Sequence, residues 1–332
     1  CFASEDIADQ YPGSVLYSKP VEVIPHVFSA IGSTAPLTYE NAGHNNNLSF
    51  IVTGDGVVVV NGGAAYILAK ALHDEIKTIT DQPVKLVINE NGQGHAMLGN
   101  SYWSEQGVPI LAHVDAAHEF EERGHRILEN MKGYNRDKAE GTFVALPTET
   151  FDAPRIIEMG DFRIEVMHLG PAHGPGDTQV WLTEQSLVIA GDMAFHERML
   201  PIFEDTNVYD WIETWETGFE NLGATYVIPG HGHPTNMNQV RRYTHDYLVH
   251  LRSVVGGGAF ENGLVRHVEP DPLRLLVSNA RQFQSGSAAA LGASFGGFTN
   301  RSDLHAVSDW IRWTHEDQPF DEGYDQFIFN EL

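Results

Sequence analysis

Cysteine is almost absent. The 332-residue chain has one, at position 1, which excludes an intramolecular disulfide framework and a thiolate metal cluster. Bases are scarce as well: 20 Lys and Arg stand against 45 Asp and Glu, a formal charge of −25. Such a surface repels a phosphate backbone or an anionic membrane at long range, so nucleic acid is disfavoured as a partner and a small-molecule substrate is expected. The acidity also suits a salt-adapted host. No run of about 18 or more apolar residues occurs, so no transmembrane helix is expected. A cysteine first in a chain is what bacterial lipoprotein cleavage leaves, which gives the expectation of a periplasmic or secreted protein, lipid-anchored at Cys1. Trimming of the sequence explains the same start equally well.

A hydrophobic content of 42% supports a sizeable core. Val21 to Ile31 and Leu48 to Val60 are β-branched and apolar, and Ala65, Leu68, Leu72 and Ile76 repeat at helical spacing within Ala64 to Ile79. Val84 to Asn89 predicts a strand, Met97 to Glu105 a helix, Ile110 to Ala112 a strand and Ala116 to Met131 a charged helix. Strand groups follow at Arg155 to Leu169 and Gln179 to Ile189, then a helix over Val208 to Leu222. This alternation predicts two related βα halves with helices outside. Met131 to Phe151 is read as a long insertion covering the site. The expected divisions are an N-terminal arm (1–20), a main domain (21–255) and a C-terminal helical extension (256–332), the last a candidate surface for homo-oligomerisation.

Three segments carry the chemistry: Gly170-Pro171-Ala172-His173-Gly174-Pro175-Gly176-Asp177-Thr178, Ala190-Gly191-Asp192 and Pro229-Gly230-His231-Gly232-His233. Each sets a metal-capable side chain beside glycine, which lets backbone approach closely. Imidazole and carboxylate are natural ligands for Zn²⁺ or a similar metal, and a catalytic site needs about three or four with one position open. His173, Asp192 and His231 supply three. Leu187 to Ala190 and Tyr226 to Ile228 read as buried strands whose ends deliver Asp192 and His231 into loops.

These segments resemble the later metal-binding motifs of the metallo-β-lactamase superfamily: a histidine in a G-H-T-P-G-D type loop, an aspartate after a strand, and a histidine in P-G-H-G, in that order. Asn47 to Val60 is similar to the family's opening hairpin, so the resemblance spans roughly Val21 to Arg242. It implies a four-layer αββα sandwich of the α/β class.

The chain departs from the family after Val84 to Asn89, where H-x-H-x-D-H is expected. Here Glu90-Asn91-Gly92-Gln93-Gly94-His95-Ala96-Met97-Leu98-Gly99-Asn100 keeps one histidine. A gapless register puts Asn91 and Gln93 at the first two histidines and His95 at the aspartate. A one-residue shift, the preferred reading, puts His95 at the final histidine, ahead of Gly99-Asn100. Asn61 also stands where the family has an aspartate in a V-D-T-G turn. Carboxamides ligate Zn²⁺ poorly beside imidazole, so one ion is expected rather than two.

The resemblance therefore implies His95, His173, Asp192 and His231 as metal ligands, Asp192 and Gln93 in catalytic roles, and Zn²⁺ as the cofactor, with Fe or Mn as substitutes. The expected activity is hydrolysis of an ester, lactone or thioester carbonyl. The alternative is a catalytically degenerate binding or accessory protein of the same fold. An oxygen-handling iron protein is a weaker third reading. His168 and His233 read as supports beside the motifs, His44 as a polar turn before a strand, and the remaining histidines, His113 among them, as ordinary.

Overall fold

The computed structural model describes residues 10–203 and 206–252. The proposed C-terminal extension, Cys1 and most of the oligomerisation argument lie outside these residues. The first seven strands form one sheet in sequence order: β1 (Val21–Ile24), β2 (Val27–Ala30), β3 (Leu48–Val52), β4 (Val57–Val60), β5 (Val84–Ile88), β6 (Ile110–His113) and β7 (Glu149–Phe151). A second sheet runs β12-β11-β10-β9-β8, from β8 (Arg155–Met159), β9 (Phe162–Met167), β10 (Gln179–Leu182), β11 (Leu187–Phe195) and β12 (Tyr226–His231). In each half the antiparallel hairpins come first and parallel pairing follows: β4-β5, β5-β6 and β6-β7 in one, β11-β12 in the other. This is the two-halves pattern expected from the alternation of elements.

Helices supply the parallel crossovers. They are α1 (Tyr66–Ile79), α2 (Gly94–Met97), α3 (Asn100–Glu105), α4 (Val114–Asn135) and α5 (Val208–Thr214), the last prolonged by a π turn over Trp215–Phe219; α6 (Met237–Val240) follows β12. The period-2 rule sorts the central strands. Val58 and Val60 face the second sheet and pack with Ile164, Val180, Ile189 and Ile228, whereas Val57 and Val59 face Leu68, Leu72 and Trp103 from the helical side. The second sheet repeats the scheme, with Val188, Ala190 and Val227 turned toward Trp211, Trp215 and Phe219. Strands buried on both faces explain the unbroken valine run of β4. The result is the four-layer αββα sandwich.

Two local expectations change. The helix expected over Met97 to Glu105 is broken in two, because Gly99 lies against the loop after β4: a Cβ there would fall 2.0 Å from the Gly62 carbonyl oxygen. The stretch after Met131 does not cover the site. It finishes α4 and wedges beside α1, where Thr142 Oγ1 accepts a hydrogen bond from Tyr66 N at 3.0 Å. Ala65 at the start of α1 offers no side-chain cap, so this hydroxyl satisfies one of the helix's open N–H groups from 76 residues away.

Candidate metal centre

The site forms where the ends of β5, β11 and β12 meet. Beyond β5, Asn89 and Asn100 exchange a reciprocal pair of side-chain hydrogen bonds (Nδ2 to Oδ1, 3.0 and 2.9 Å), and Asn89 Nδ2 also donates to Ala96 O at 2.7 Å. This buried amide pair pins α2 against the strand end and sets His95 in its first turn. Asn91 Oδ1 accepts from Gln93 N at 3.0 Å, an Asx turn that folds the intervening loop back over the site.

Asp192 is the centre. The sequence places it in a loop after a strand; instead β11 continues to Phe195, and Asp192 sits inside it at a register irregularity between Gly191 and Phe195. The bulge turns the carboxylate toward β12 and leaves the strand intact beyond it. His231 is the last residue of β12, stacked on Phe195 with ring centroids 5.0 Å apart.

Three imidazoles surround that carboxylate. His231 Nε2 lies 3.2 Å from Asp192 Oδ1, while His95 Nε2 and His173 Nδ1 each lie 3.4 Å from Oδ2. Asn91 Nδ2 donates to the same Oδ2 at 3.1 Å. Donor atoms of His95, Asp192 and His231 all lie within 4.8 Å of one another, a group that can hold a metal ion. His173 and Glu90 both adjoin these residues outside that tight group, and Gln93 Nε2 donates to His173 Nδ1 at 2.8 Å. That hydrogen bond occupies the nitrogen nearest Asp192.

Two further carboxylates stand in the cluster. Glu90 Oε1 lies 3.0 Å from His95 Nε2, and Glu90 Oε2 is buried without a hydrogen bond. Asp177 accepts from Gly174 N at 2.6 Å and from Asn91 Nδ2 at 3.5 Å. Burial, then the charge of Asp192, pushes the carboxyls of Glu90 and Asp177 above the ordinary range. Burial opposes ionisation of Asp192 too, but His95, His231 and His173 outweigh it and hold this carboxyl below the usual range. Burial, then the Arg198 guanidinium, lowers His231 to about 4, so its ring is neutral at pH 7. A neutral ring is the form that donates an electron pair to a metal.

His231 is set from outside by a loop before β3. Its Nδ1 contacts the Asn45 carbonyl oxygen, which directs Nε2 at Asp192, and Arg198 Nη1 lies 2.9 Å from the same Nδ1. Asn47 Nδ2 donates to the carbonyls of Pro229 (2.9 Å) and Gly232 (2.7 Å), clamping the turn that carries His231. His44 does follow a turn before β3, and it is fully buried there, its Nδ1 accepting from Tyr17 N at 2.8 Å. His168 supports Asp177 through the Asp177 carbonyl (2.8 Å) and stacks on His113 at 4.2 Å, while His233 pairs with Glu197 at 2.5 Å. Sequence reasoning missed Asn45, Asn47, Asp177 and Arg198, and gave Glu90 no role beyond its place in the altered first motif. Asp177 stood inside a motif already singled out, and the Asn45-Asn46-Asn47 run was a usable cue, since three consecutive amides before a strand need partners.

The family model of the metallo-beta-lactamase superfamily matches residues 95–231, a range bounded by the two imidazoles of the tight group. Among solved structures, a metallo-beta-lactamase from Pontibacter korlensis aligns with a TM-score of 0.58 at 18% identity, covering 69% of this chain and 98% of that one. The chain has the metallo-beta-lactamase fold. The metallo-beta-lactamases TMB-1 and DIM-1 align similarly, each with a TM-score of 0.55, at 14% and 13% identity, covering 69% of this chain and 96% of theirs. The resemblance read from the three glycine-flanked motifs of this metallo-beta-lactamase-fold chain is thus shown. No helix among the described residues is long and apolar enough to cross a membrane.

The donor chemistry fits a divalent metal. Three buried carboxylates converge with three imidazoles, and two of their oxygens, Glu90 Oε2 and Asp192 Oδ1, lack a hydrogen bond. A buried cluster of this sign is costly without a cation to balance it.

Proposed function

We propose that this protein is a metal-dependent hydrolase that works with one ion, Zn²⁺ or a similar divalent metal, at His95, Asp192 and His231. The observation that supports it is the convergence of these donor atoms within 4.8 Å in a buried site. Both registers of the altered motif bring His95 into play; its place beside Asp192 and His231, with Asn91 and Gln93 on the side of His173, favours the gapless one.

A divalent ion bound there supplies Lewis acidity and lowers the pKa of water toward neutrality. Asp192, kept ionised by the surrounding imidazoles, accepts the proton from the attacking water. The water oxygen bonds to the substrate carbonyl carbon, the bond to the leaving oxygen or sulfur breaks, and Asp192 returns the proton to the leaving group. The Gln93 amide, held against His173, orients the carbonyl oxygen and His173 stays off the ion. An activated ester, lactone or thioester has a leaving group good enough for this machinery. A stable amide needs more electrophilic help than one ion and carboxamides provide.

The test is a panel of nitrophenyl esters, acyl lactones, thioesters and a chromogenic cephalosporin, each with and without chelator. Chelator-sensitive ester or thioester hydrolysis with little cephalosporin turnover is expected. A metal-loaded protein inert to the whole panel would replace this reading with the binding or accessory protein.

A further inference from the structure

The metal reading leaves Glu90 unexplained. It precedes the H-x-H-x-D-H positions in the gapless register and takes the first histidine's place in the shifted one, is 1% exposed, and stands at the end of β5 with Oε2 unbonded. Its backbone is anchored on both sides: Glu90 N donates to Asn61 Oδ1 at 3.1 Å, and Glu90 O accepts from Thr178 N at 2.7 Å. The side chain has a prepared place, since a Cβ on Gly191 would fall 2.1 Å from Oε2. Only glycine next to Asp192 admits the carboxylate.

The position of that carboxylate is specific. His95 Nε2, the nitrogen that faces Asp192, lies between two acceptors, Glu90 Oε1 at 3.0 Å and Asp192 Oδ2 at 3.4 Å. A ring proton on Nε2 is shared by both oxygens. A cation that takes the place of this proton meets both oxygens as well.

Building on the metal reading above, we infer that Glu90 is itself a metal ligand, so that the ion is held by His95, His231, Asp192 and Glu90. Glu90 supplies from the strand end a fourth donor beside the three of the tight group. Two carboxylates and two imidazoles make a harder, more anionic set than a histidine-rich one, which shifts preference toward Mn²⁺ or Fe²⁺ relative to Zn²⁺. Asn61 follows from the same arrangement: its amide oxygen accepts from Glu90 N, a contact that an aspartate there would also make, but at the expense of another negative charge beside Glu90.

The test uses the full chain and its Glu90→Gln variant, stripped by chelator and titrated with Mn²⁺, Co²⁺ and Zn²⁺ separately by calorimetry, with elemental analysis after dialysis. Wild type is expected to take one ion; Glu90→Gln is expected to bind Mn²⁺ and Co²⁺ at least tenfold more weakly and to change the visible spectrum of the Co²⁺ form. The metal-free variant should melt at or above the wild-type temperature, because a charge next to Asp192 has been removed, and should gain less on adding metal. This separates loss of a ligand from loss of fold. Unchanged affinity and an unchanged Co²⁺ spectrum in Glu90→Gln overturn the assignment of Glu90 while the metal reading stands. No metal bound by wild type overturns both.

Discussion

The carbonyl oxygen of Asn45 and Nδ1 of His231, 186 positions apart in the sequence, are in direct hydrogen-bond contact. The loop before β3 thereby decides which nitrogen of His231 faces Asp192. Asn47, two residues on, holds the turn of Pro229 to Gly232 by two bonds from one amide. Asn47→Ala removes both donors and leaves two buried carbonyls unsatisfied. We expect a loss of about 2–4 kcal/mol in urea unfolding, with weaker metal retention on dialysis, and Asn47→Asp to be no better because it offers no donor.

Metal content should discriminate sharply between the histidines. Native mass spectrometry of the protein is expected to show fewer than two tightly bound ions. His231→Ala should lose the ion, since it removes one of three clustered donors. His173→Ala and Gln93→Ala should keep it, because the Gln93 amide already occupies His173 Nδ1. Their defect is expected in turnover instead. Two stoichiometric ions in wild type, or an empty His173→Ala protein, would redraw the ligand set.

Gly191 has φ +56, a left-handed backbone that disfavours side chains, and packs against Glu90. Gly191→Ala is therefore strained twice, by its backbone and by the collision with Oε2. We expect poor solubility or a loss of more than about 2 kcal/mol in stability, and no metal in whatever folds. A Gly191→Ala protein with wild-type melting and a full complement of metal would contradict the tight packing of Glu90.

The buried His44 predicts a pH dependence. Burial lowers its folded-state pKa to about 4. The unfolded chain, with an ordinary value near 6.5, binds the proton first as pH falls. Stability is therefore full above about pH 6.5, declines between 6.5 and 4, and loses about 3 kcal/mol across that window from this group alone. His44→Asn keeps an acceptor for Tyr17 N and removes the titration. The difference in unfolding free energy between pH 7 and pH 4.5 should be smaller in the variant, and equal slopes would refute the assignment.

Much of the architecture was legible in local pattern. The valine run of β4 and the helical repeat of Leu68, Leu72 and Ile76 follow from period and burial alone, and the glycine-flanked His173, Asp192 and His231 were recognisable as a set. The break at Gly99 was not legible, because its cause is the Gly62 carbonyl, which belongs to the loop after β4. Nor was the wedge formed after Met131: its role depends on Tyr66 N lacking a cap, which only the packed helix reveals.

What the sequence by itself determined is the alternation of strands and helices, the acidic composition, and a first motif that keeps one histidine. These depend on residue type and short-range spacing. Tertiary structure alone decided that Asp192 sits within a bulged strand, that Asn45 and Asn47 brace the His231 turn, and that His173 stands apart from the tight group with Gln93. It also brought Glu90, 1% exposed, within 3.0 Å of His95 and so into the site. The physical reason is distance. Charge, hydrogen bonding and metal affinity act over a few ångströms in space, and the end of β5 that meets β11 and β12 here precedes them by about a hundred residues of chain.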